Sequence, residues 1–343
     1  TLLNIVEEAL ARGIPPERIA YLAFTRKAAY EAQERAMAQF GFEESRFPFF
    51  RTLHSLAFRE LGMQRDEVMT DSHYRKFGKA MGIEFRGIYD ENIGLHTGDG
   101  LGDKCSRIES LARVGLRTID QQMSITNVND LNSHAVKQYN NSLISYKKEQ
   151  GLYDFTDMLE KYNSQLPVDV CIFDEAQDLS SAQYKMAILA ASLAGEVYIA
   201  GDDDQAIFGW AGADVHKFLN LKGQKTTLPN SHRIPRKVHA LANDVASRIK
   251  NRYPKKWAPK KEEGEVHYVT NEQDIDFSIT GTWMLLSRSK YLLYRLKQAV
   301  RQQGFAYSMN AKSSLESVET RAIIAWETIR KGKNISQHEA KNL

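Results

Sequence analysis

Two acidic segments stand directly after apolar runs that have the length of buried β-strands. Asp174 and Glu175 follow the run 168–173, and the acidic residues 202–204 follow the run 196–200 after a single glycine. Parallel sheets bind their ligands at the carboxyl ends of such strands. An Asp-Glu pair in this position suits metal-assisted ATP hydrolysis, because the aspartate can hold Mg²⁺ while the glutamate orients or deprotonates the attacking water.

Each of these features also has a purely structural interpretation. The acidic pair could belong to a capped turn, with Asp178 as the N-cap of the helix that follows. After the second acidic segment, the amide of Gln205 could sense a terminal phosphate. Phe208 and Trp210 stand two positions apart and could stack on bases, but either ring could equally belong to the core. Taken singly, these residues leave both interpretations open.

The elements around these residues predict an α/β fold. A helical pattern over 2–10 ends at Gly13, a buried strand is predicted at 19–24, and a helix is predicted at 27–39. Helix, break, strand and helix in this order are typical of a parallel α/β sheet. No strand is predicted before the first helix, so we expect the first strand and loop of this domain to be missing.

Residues 65–150 differ from their surroundings and predict a mostly helical insertion. The apolar runs shorten, the segment 134–148 has the pattern of an amphipathic helix, and the segment 94–102 contains four glycines typical of a mobile loop. From residue 234 the α/β pattern starts again. It predicts helices at 236–252, 290–303 and 319–330, and strands near Val266 and at 283–286 and 305–307.

Composition and charge narrow the class of protein. The 343 residues are 42% hydrophobic and 26% charged, which excludes a disordered tail or a fibrous repeat. No apolar run reaches the roughly 18 residues of a membrane helix, and no export signal begins the chain. Two cysteines form no disulfide framework or zinc site. We therefore expect a soluble, intracellular protein of the cytoplasm, with two or more domains and no membrane partner.

Basic residues are concentrated in one stretch although the net charge is only +3. Residues 248–261 hold seven lysines and arginines. The stretch is either a solvated loop or a patch that faces phosphates, and the sequence leaves both open.

Taken together, the motifs resemble those of superfamily 1 helicases of the UvrD/Rep/PcrA type. The strings FDEAQD at 173–178 and GDDDQAIFGWAGA at 201–213 are similar to motifs II and III, in order and each on its own strand. Further segments resemble motif Ia (23–29, AFTRKAA), motif Ib (51–57, RTLHSLA), the Asp-Phe segment before motif II (151–159, GLYDFTDML), motif IV (228–233, LPNSHR) and the start of the second motor domain (285–289, LLSRS).

The resemblance implies an α/β fold of two RecA-like P-loop NTPase lobes with parallel sheets. It assigns residues 1–64 and 151–233 to the first lobe, 65–150 to a helical insertion, and 234–343 to an incomplete second lobe. It implies an ATP-dependent helicase that moves 3′ to 5′ on single-stranded DNA and couples ATP hydrolysis to unwinding. Single strands, junctions of single- and double-stranded DNA, and an unidentified loading protein are the implied partners. Translocation without unwinding, or nucleic-acid binding without catalysis, are the alternatives.

The resemblance also implies a role for individual residues. ATP and Mg²⁺ are the cofactors, with Asp174 and Glu175 at the metal and the attacking water. Gln205 contacts the γ-phosphate, and Arg233 reaches the phosphates as an arginine finger within one chain. The implied DNA-binding residues are Phe24, Thr25, Thr52, His54, Phe208 and Trp210. Taken alone, His54 would rather be interpreted as a core histidine.

The sequence departs from the family pattern at several points. The phosphate-binding Gly-Lys-Thr loop is absent, and Thr1 corresponds to its last residue or the residue just after it. Motifs V and VI would follow Leu343. Ala211 replaces the arginine that many relatives have in motif III, and His232 replaces a tyrosine of motif IV. We therefore expect the chain as it stands to be inactive by itself.

Overall fold

A computed structural model describes residues 2–91, 93–126, 130–289, 291–309, 312–316 and 318–341. The contacts divide the chain into two compact units. The first unit contains residues 1–231 and 242–258, and the second contains residues 232–241 and 259–343.

Helices and short strands alternate along the described residues. The helices are α1 (Leu2–Ala11), α2 (Arg26–Phe40), α3 (Leu53–Glu60), α4 (Asp71–Met81), α5 (Leu101–Val114), α6 (Ile119–Ile125), α7 (Ser133–Gln150), α8 (Phe155–Lys161), α9 (Ser181–Ala190), α10 (Val215–Leu219), α11 (Arg236–Ala246), α12 (Leu293–Gln302), α13 (Val318–Arg330) and α14 (Gln337–Ala340). The strands are β1 (Ile19–Ala23), β2 (Phe50–Thr52), β3 (Tyr89–Asp90), β4 (Leu95–His96), β5 (Val170–Asp174), β6 (Glu196–Ile199), β7 (Ser308–Met309) and β8 (Lys312–Ser313).

A parallel four-stranded sheet forms the centre of the first unit. Its strand order is β2-β1-β5-β6, and all three neighbouring pairs are parallel. Every residue of β1 and the first four residues of β5 are buried. Continuous apolar strands of this kind are typical of parallel sheets that are covered on both faces. The predicted α/β class is therefore confirmed, and so are the strands predicted at 19–24, 168–173 and 196–200, to within two residues at each end.

The insertion packs into the same core as the sheet. It consists of α4 to α7 and the short antiparallel hairpin of β3 and β4. Buried side chains of the insertion, among them Phe77, Tyr139 and Leu143, belong to one hydrophobic cluster with Ala20 and Leu22 of β1. The prediction of a mostly helical segment is confirmed for the described residues, whereas the division of the chain into three domains stays a prediction.

The glycine-rich segment 94–102, which was predicted to be a mobile loop, is only partly irregular, and its mobility stays a prediction. It contains β4 and leads directly into α5. The fully buried Asp103 accepts hydrogen bonds from the backbone amides of Arg86, Gly87 and Gly100, at 2.8 to 3.1 Å. A Cβ at Gly98 would lie 2.3 Å from this carboxylate. The glycines therefore allow the backbone to approach a buried acid closely.

A buried ionic network joins the insertion to the segment before β5. Arg113 of α5 and Lys147 of α7 are its cations. They contact four carboxylates at distances of 2.5 to 3.0 Å, those of Glu109, Asp154, Asp157 and Glu160. Since carboxylates outnumber cations, one of them is held less favourably in its charged form. Burial raises the pKa of Glu109 to about 7; the charge of Arg113 opposes this rise, and that of Asp154 adds to it.

Replacing Glu109 with glutamine should make stability less sensitive to pH. The raised pKa means that the folded protein binds more protons than the unfolded chain between about pH 4.5 and 7, so this group's contribution to stability falls as pH rises through that window. The free energy of unfolding of Glu109→Gln, relative to that of the wild type, should therefore increase by about 1–2 kcal/mol as the pH rises from 5 to 8. Urea unfolding at several pH values measures the gain, with the exposed Glu149→Gln as control. A constant difference across this range would contradict the prediction.

The second unit has little regular β-structure among its described residues. β7 and β8 form a two-residue antiparallel pair, and a small core contains Phe277, Ala299 and Val300. The helices predicted at 290–303 and 319–330 correspond to α12 and α13; Lys290 lies outside the described residues. The helix predicted over 236–252 is shorter, since α11 ends at Ala246.

The strands predicted in the second unit, near Val266 and at 283–286 and 305–307, are absent from the part that the structure describes. Met284 and Leu286 are about 80% exposed. A strand requires a neighbour that completes its hydrogen bonds, and no described strand pairs with the segments near Val266 and at 283–286. The segment 305–307 leads into β7, which pairs only with the two residues of β8. The predicted parallel sheet of the second lobe is therefore not observed in the described residues.

Within the described residues, no helix is both long enough and apolar enough to cross a membrane.

Candidate functional site

Four loops of the first unit meet at one edge of the sheet. Because β2, β1, β5 and β6 are parallel, their carboxyl ends all lie at this edge, where α/β sheets bind ligands. The loops carry the sequence-predicted residues Phe24 and Thr25 after β1, Thr52 and His54 at β2, Asp174 and Glu175 at β5, and Gln205, Phe208 and Trp210 after β6.

The acidic pair lies at the end of β5. The hydroxyl of Tyr21 donates to Asp174 Oδ2 at 2.6 Å, and the backbone N–H of Glu175 donates to Asp174 Oδ1 at 3.0 Å. Burial raises the pKa of Tyr21, and its hydrogen bond to Asp174 adds to the rise, so the phenol remains a donor. Glu175 has a φ of +53°, a left-handed conformation that costs a non-glycine residue about 1–3 kcal/mol. Strained backbone of this kind is concentrated at functional sites.

The acidic pair does not cap the next helix. The N-cap of α9 is Ser180, whose side chain accepts a hydrogen bond from the backbone N–H of Gln183. The interpretation of Asp178 as the N-cap is therefore wrong, and Glu175 is exposed. Its carboxylate is accessible for chemistry and does not cap a helix.

The pair has the donor chemistry that Mg²⁺ prefers. Mg²⁺ at nucleotide sites is bound by one or two carboxylates together with water and phosphate oxygens. Asp174 and Glu175 supply two adjacent carboxylates at the sheet edge. Among the described residues, no group of three or more His, Cys, Asp or Glu forms a cage for a metal. The residues therefore fit a metal held jointly with a nucleotide.

A hydrogen-bonded path connects the acidic pair to the loop after β6. Gln177 is 1% exposed and donates through Nε2 to Glu175 Oε2 at 2.8 Å. Its Oε1 accepts the backbone N–H of Asp202 at 3.0 Å. Asp202 Oδ2 in turn accepts Nε2 of Gln205 at 2.5 Å. Glu175 and Gln205, predicted separately from two motifs, are thus joined through two intermediate residues.

Gln177 is part of the motif II string, but no role was predicted for it from the sequence. Its signal was the Asp-Glu-x-Gln-Asp string itself, in which a glutamine follows the acidic pair at fixed spacing. Gly201 accommodates it, because a Cβ there would lie 2.5 Å from Gln177 Oε1. Asp178 also accepts from Gln177 Nε2, at 3.2 Å, and burial together with the charge of Glu175 raises the pKa of Asp178 to about 6.

Three aromatic rings on the loops after β1 and β6 form a row. The ring centroids of Phe24 and Phe208 are 5.4 Å apart, and those of Phe208 and Trp210 are 6.4 Å apart. Trp210 is 58% exposed. A half-exposed indole at the end of a row of rings can accept a stacked base. The structure thus brings together aromatic residues that the sequence placed in two different motifs.

The other predicted DNA-binding residues also serve local structure. The hydroxyls of Thr25 and Thr52 accept hydrogen bonds from the amides of Ala28 and Ser55 and cap α2 and α3. A capping hydroxyl still has its proton available for a phosphate oxygen. His54 packs edge-on against Phe155, and burial together with the charge of Arg26 lowers its pKa to about 4. At neutral pH, His54 is therefore uncharged.

Two predicted nucleotide contacts lie outside the described residues of the first unit. Arg233 belongs to the second unit, where its side chain is exposed. Thr1 lies outside the described residues. Their contacts with a nucleotide stay predictions.

Comparison with known proteins decides the family. The sequence profile of the UvrD/REP helicase N-terminal domain matches residues 1–226. The chain belongs to this family. The match covers all the loops of the sheet edge, so the predicted family resemblance is confirmed.

Individual relatives agree with this assignment. The chain is 25% identical over 337 residues to a probable DNA helicase of Mycoplasma pneumoniae, covering 88% of this chain and 59% of the relative. It is 24% identical to the ATP-dependent DNA helicase Rep of Buchnera aphidicola, covering 83% and 46%, and 25% identical to the ATP-dependent DNA helicase PcrA of Leuconostoc citreum, covering 88% and 42%. The chain thus spans about half the length of these relatives.

Proposed function

We propose that this chain is the motor part of an ATP-dependent DNA helicase that moves on single-stranded DNA. The observation that carries the proposal is the path from Glu175 through Gln177 and Asp202 to Gln205, on the same sheet edge as the row of aromatic rings. An acidic pair suited to ATP hydrolysis and a surface suited to unpaired bases share one sheet edge. The relatives named ATP-dependent DNA helicases support the same activity.

ATP and Mg²⁺ are the proposed cofactors. Asp174, oriented by Tyr21, holds the metal, and bound Mg²⁺ neutralises charge on the phosphates. Glu175 orients the attacking water and accepts its proton, and the amide of Gln205 contacts the γ-phosphate. Arg233 contributes a guanidinium that stabilises charge on the transferred phosphoryl group, and Thr1, which comes just before Leu2 in the sequence, contributes to phosphate binding.

A single strand is the proposed nucleic-acid partner. Phe24, Phe208 and Trp210 stack on bases whatever their identity. Thr25 and Thr52 donate their hydroxyl protons to backbone phosphates, and the neutral His54 contributes a ring N–H. Junctions between single- and double-stranded DNA are then the natural substrates, and the proposed location is the cytoplasm.

Strand displacement by the full-length protein tests both the activity and its direction. Duplexes with a 3′ or a 5′ single-stranded tail are incubated with ATP and Mg²⁺. We expect separation only of the 3′-tailed duplex, as the resemblance implies. Unwinding only from the 5′ tail would contradict the direction. ATP hydrolysis without strand separation would favour a translocase, and absence of both would favour a binding protein without catalysis.

A further inference from the structure

Two basic side chains hold the acidic loop after β6 in place. Lys255 Nζ lies 2.6 Å from Asp202 Oδ1, 2.5 Å from Asp203 Oδ1 and 3.1 Å from Asp204 Oδ2. The guanidinium of Arg252 binds both carboxylate oxygens of Asp204, at 2.8 and 2.5 Å. All five residues belong to the first unit. Two of the seven basic residues of the stretch 248–261 therefore form neither a solvated loop nor a phosphate-facing patch.

The central cation of this cluster is buried. The side chain of Lys255 is 11% exposed, and that of Asp203 is 4% exposed. Burial disfavours the charge of Lys255, but the hydrogen bonds to three carboxylates outweigh it and raise the pKa of the amine. The backbone N–H of Tyr253 donates to Asp203 as well, at 2.8 Å. Removing the cation would leave close carboxylates facing one another with only Arg252 to compensate, and buried charges without partners are strongly unfavourable.

The cluster reaches the proposed phosphate sensor through a single carboxylate. Asp202 Oδ1 binds Lys255, while Oδ2 accepts the hydrogen bond from Gln205. With both oxygens held, the plane of this carboxylate is fixed, and so is the direction from which Gln205 is bound. The backbone N–H of Asp202 also holds Gln177, which contacts Glu175. One lysine therefore lies two contacts away from Gln205 and three contacts away from Glu175.

We propose that Lys255 is a positioning residue for ATP hydrolysis, which orients Gln205 and Glu175 through Asp202 without touching the nucleotide. The inference rests on the proposed function, because it assigns Lys255 a task in that reaction. A positioning error of about 1 Å can reduce a catalysed rate by about 100-fold. Losing Lys255 should accordingly lower the rate of the chemical step and leave the affinity for the nucleoside diphosphate unchanged, since Gln205 is assigned to the γ-phosphate alone.

The variant Lys255→Met in the full-length protein tests this inference. Its side chain has similar length but no charge. The neighbouring Lys256→Met is the matched control, because Lys256 is exposed and undergoes the same chemical change. The rate of ATP hydrolysis is measured with saturating oligothymidylate and expressed per binding site for the fluorescent nucleotide mant-ADP, so that misfolded protein is not counted. Amide hydrogen exchange of residues 202–206 is measured on the same samples.

We expect Lys255→Met to lower kcat by about 10- to 100-fold and to speed amide exchange in 202–206, with the Kd for mant-ADP within about twofold of the wild type. Lys255→Arg should restore part of kcat. Lys256→Met should match the wild type in every measurement. If Lys255→Met yields no folded protein, Lys255→Gln provides the same comparison.

Two results would overturn the inference, and they differ from failure of the proposed function. An unchanged kcat in folded Lys255→Met, beside an active wild type, would show that Lys255 does not position the site. An equal loss of kcat and mant-ADP affinity would indicate a purely structural role. A wild-type protein without DNA-stimulated ATP hydrolysis would instead contradict the proposed function itself.

Discussion

Replacing Glu175 with glutamine is expected to lower ATP hydrolysis by the full-length protein by about 10²- to 10⁴-fold. Glutamine keeps an oxygen that can accept the hydrogen bond from Gln177, so the loop geometry is retained. It cannot take a proton from water, so the substitution removes the proposed general base alone. Binding of ATP should stay near the wild-type value, because the proposed role of the glutamate is to act on water and not on the nucleotide. Steady-state hydrolysis and nucleotide binding measured side by side separate the two effects.

The control for this prediction is Glu43→Gln, which makes the same chemical change at an exposed glutamate before β2. It should hydrolyse ATP at the wild-type rate. Near-normal turnover by Glu175→Gln would remove Glu175 from its proposed role. Loss of ATP binding together with turnover would indicate that the substitution disturbs the whole edge of the sheet.

Replacing Trp210 with alanine should weaken the affinity for single-stranded DNA by about 1–3 kcal/mol, the usual contribution of one stacked base. The indole lies at the end of the row formed with Phe24 and Phe208, and more than half of its surface is exposed. Little stability should therefore be lost with it. Anisotropy of a labelled oligothymidylate measures the affinity, and thermal unfolding measures the stability.

Trp326→Ala is a matched control, because this tryptophan of α13 in the second unit is 56% exposed and has no proposed contact with DNA. It should leave the affinity for DNA unchanged. A Trp210→Ala protein that binds DNA normally but unfolds at a lower temperature would show that the ring only packs. That result would contradict the proposal that single-stranded DNA stacks on this row of aromatic rings.

The local sequence was sufficient to predict the strands and the residues at their ends wherever a buried strand and its loop are continuous in the chain. The apolar residues of β1 and β5 are buried on both faces, so their pattern marks the strands, and the residues after them necessarily reach one edge. Asp174, Glu175, Gln205 and the aromatic residues could be predicted for this reason. Their proximity follows from the topology of parallel strands.

Contacts between distant segments could not be predicted in this way. Lys255 lies about fifty residues after the aspartates that it binds, and its neighbours in the sequence are equally basic, so charge alone did not distinguish it. The close approach of the glycines of 94–102 to the buried Asp103 was not predicted either, because this contact is recognisable only in three dimensions. In the second unit, apolar segments such as 283–286 resemble strands, but the pattern does not specify a neighbour to pair with.

The most direct test of the central claim is ATP hydrolysis by the full-length protein as oligothymidylate is added. The claim is that one sheet edge both hydrolyses ATP through Glu175 and senses an unpaired strand on the ring of Trp210. It predicts a hydrolysis rate that rises with oligothymidylate to a plateau in the wild type, requires more oligothymidylate in Trp210→Ala, and stays near zero in Glu175→Gln. A rate that does not respond to oligothymidylate, or one that survives in Glu175→Gln, would contradict it.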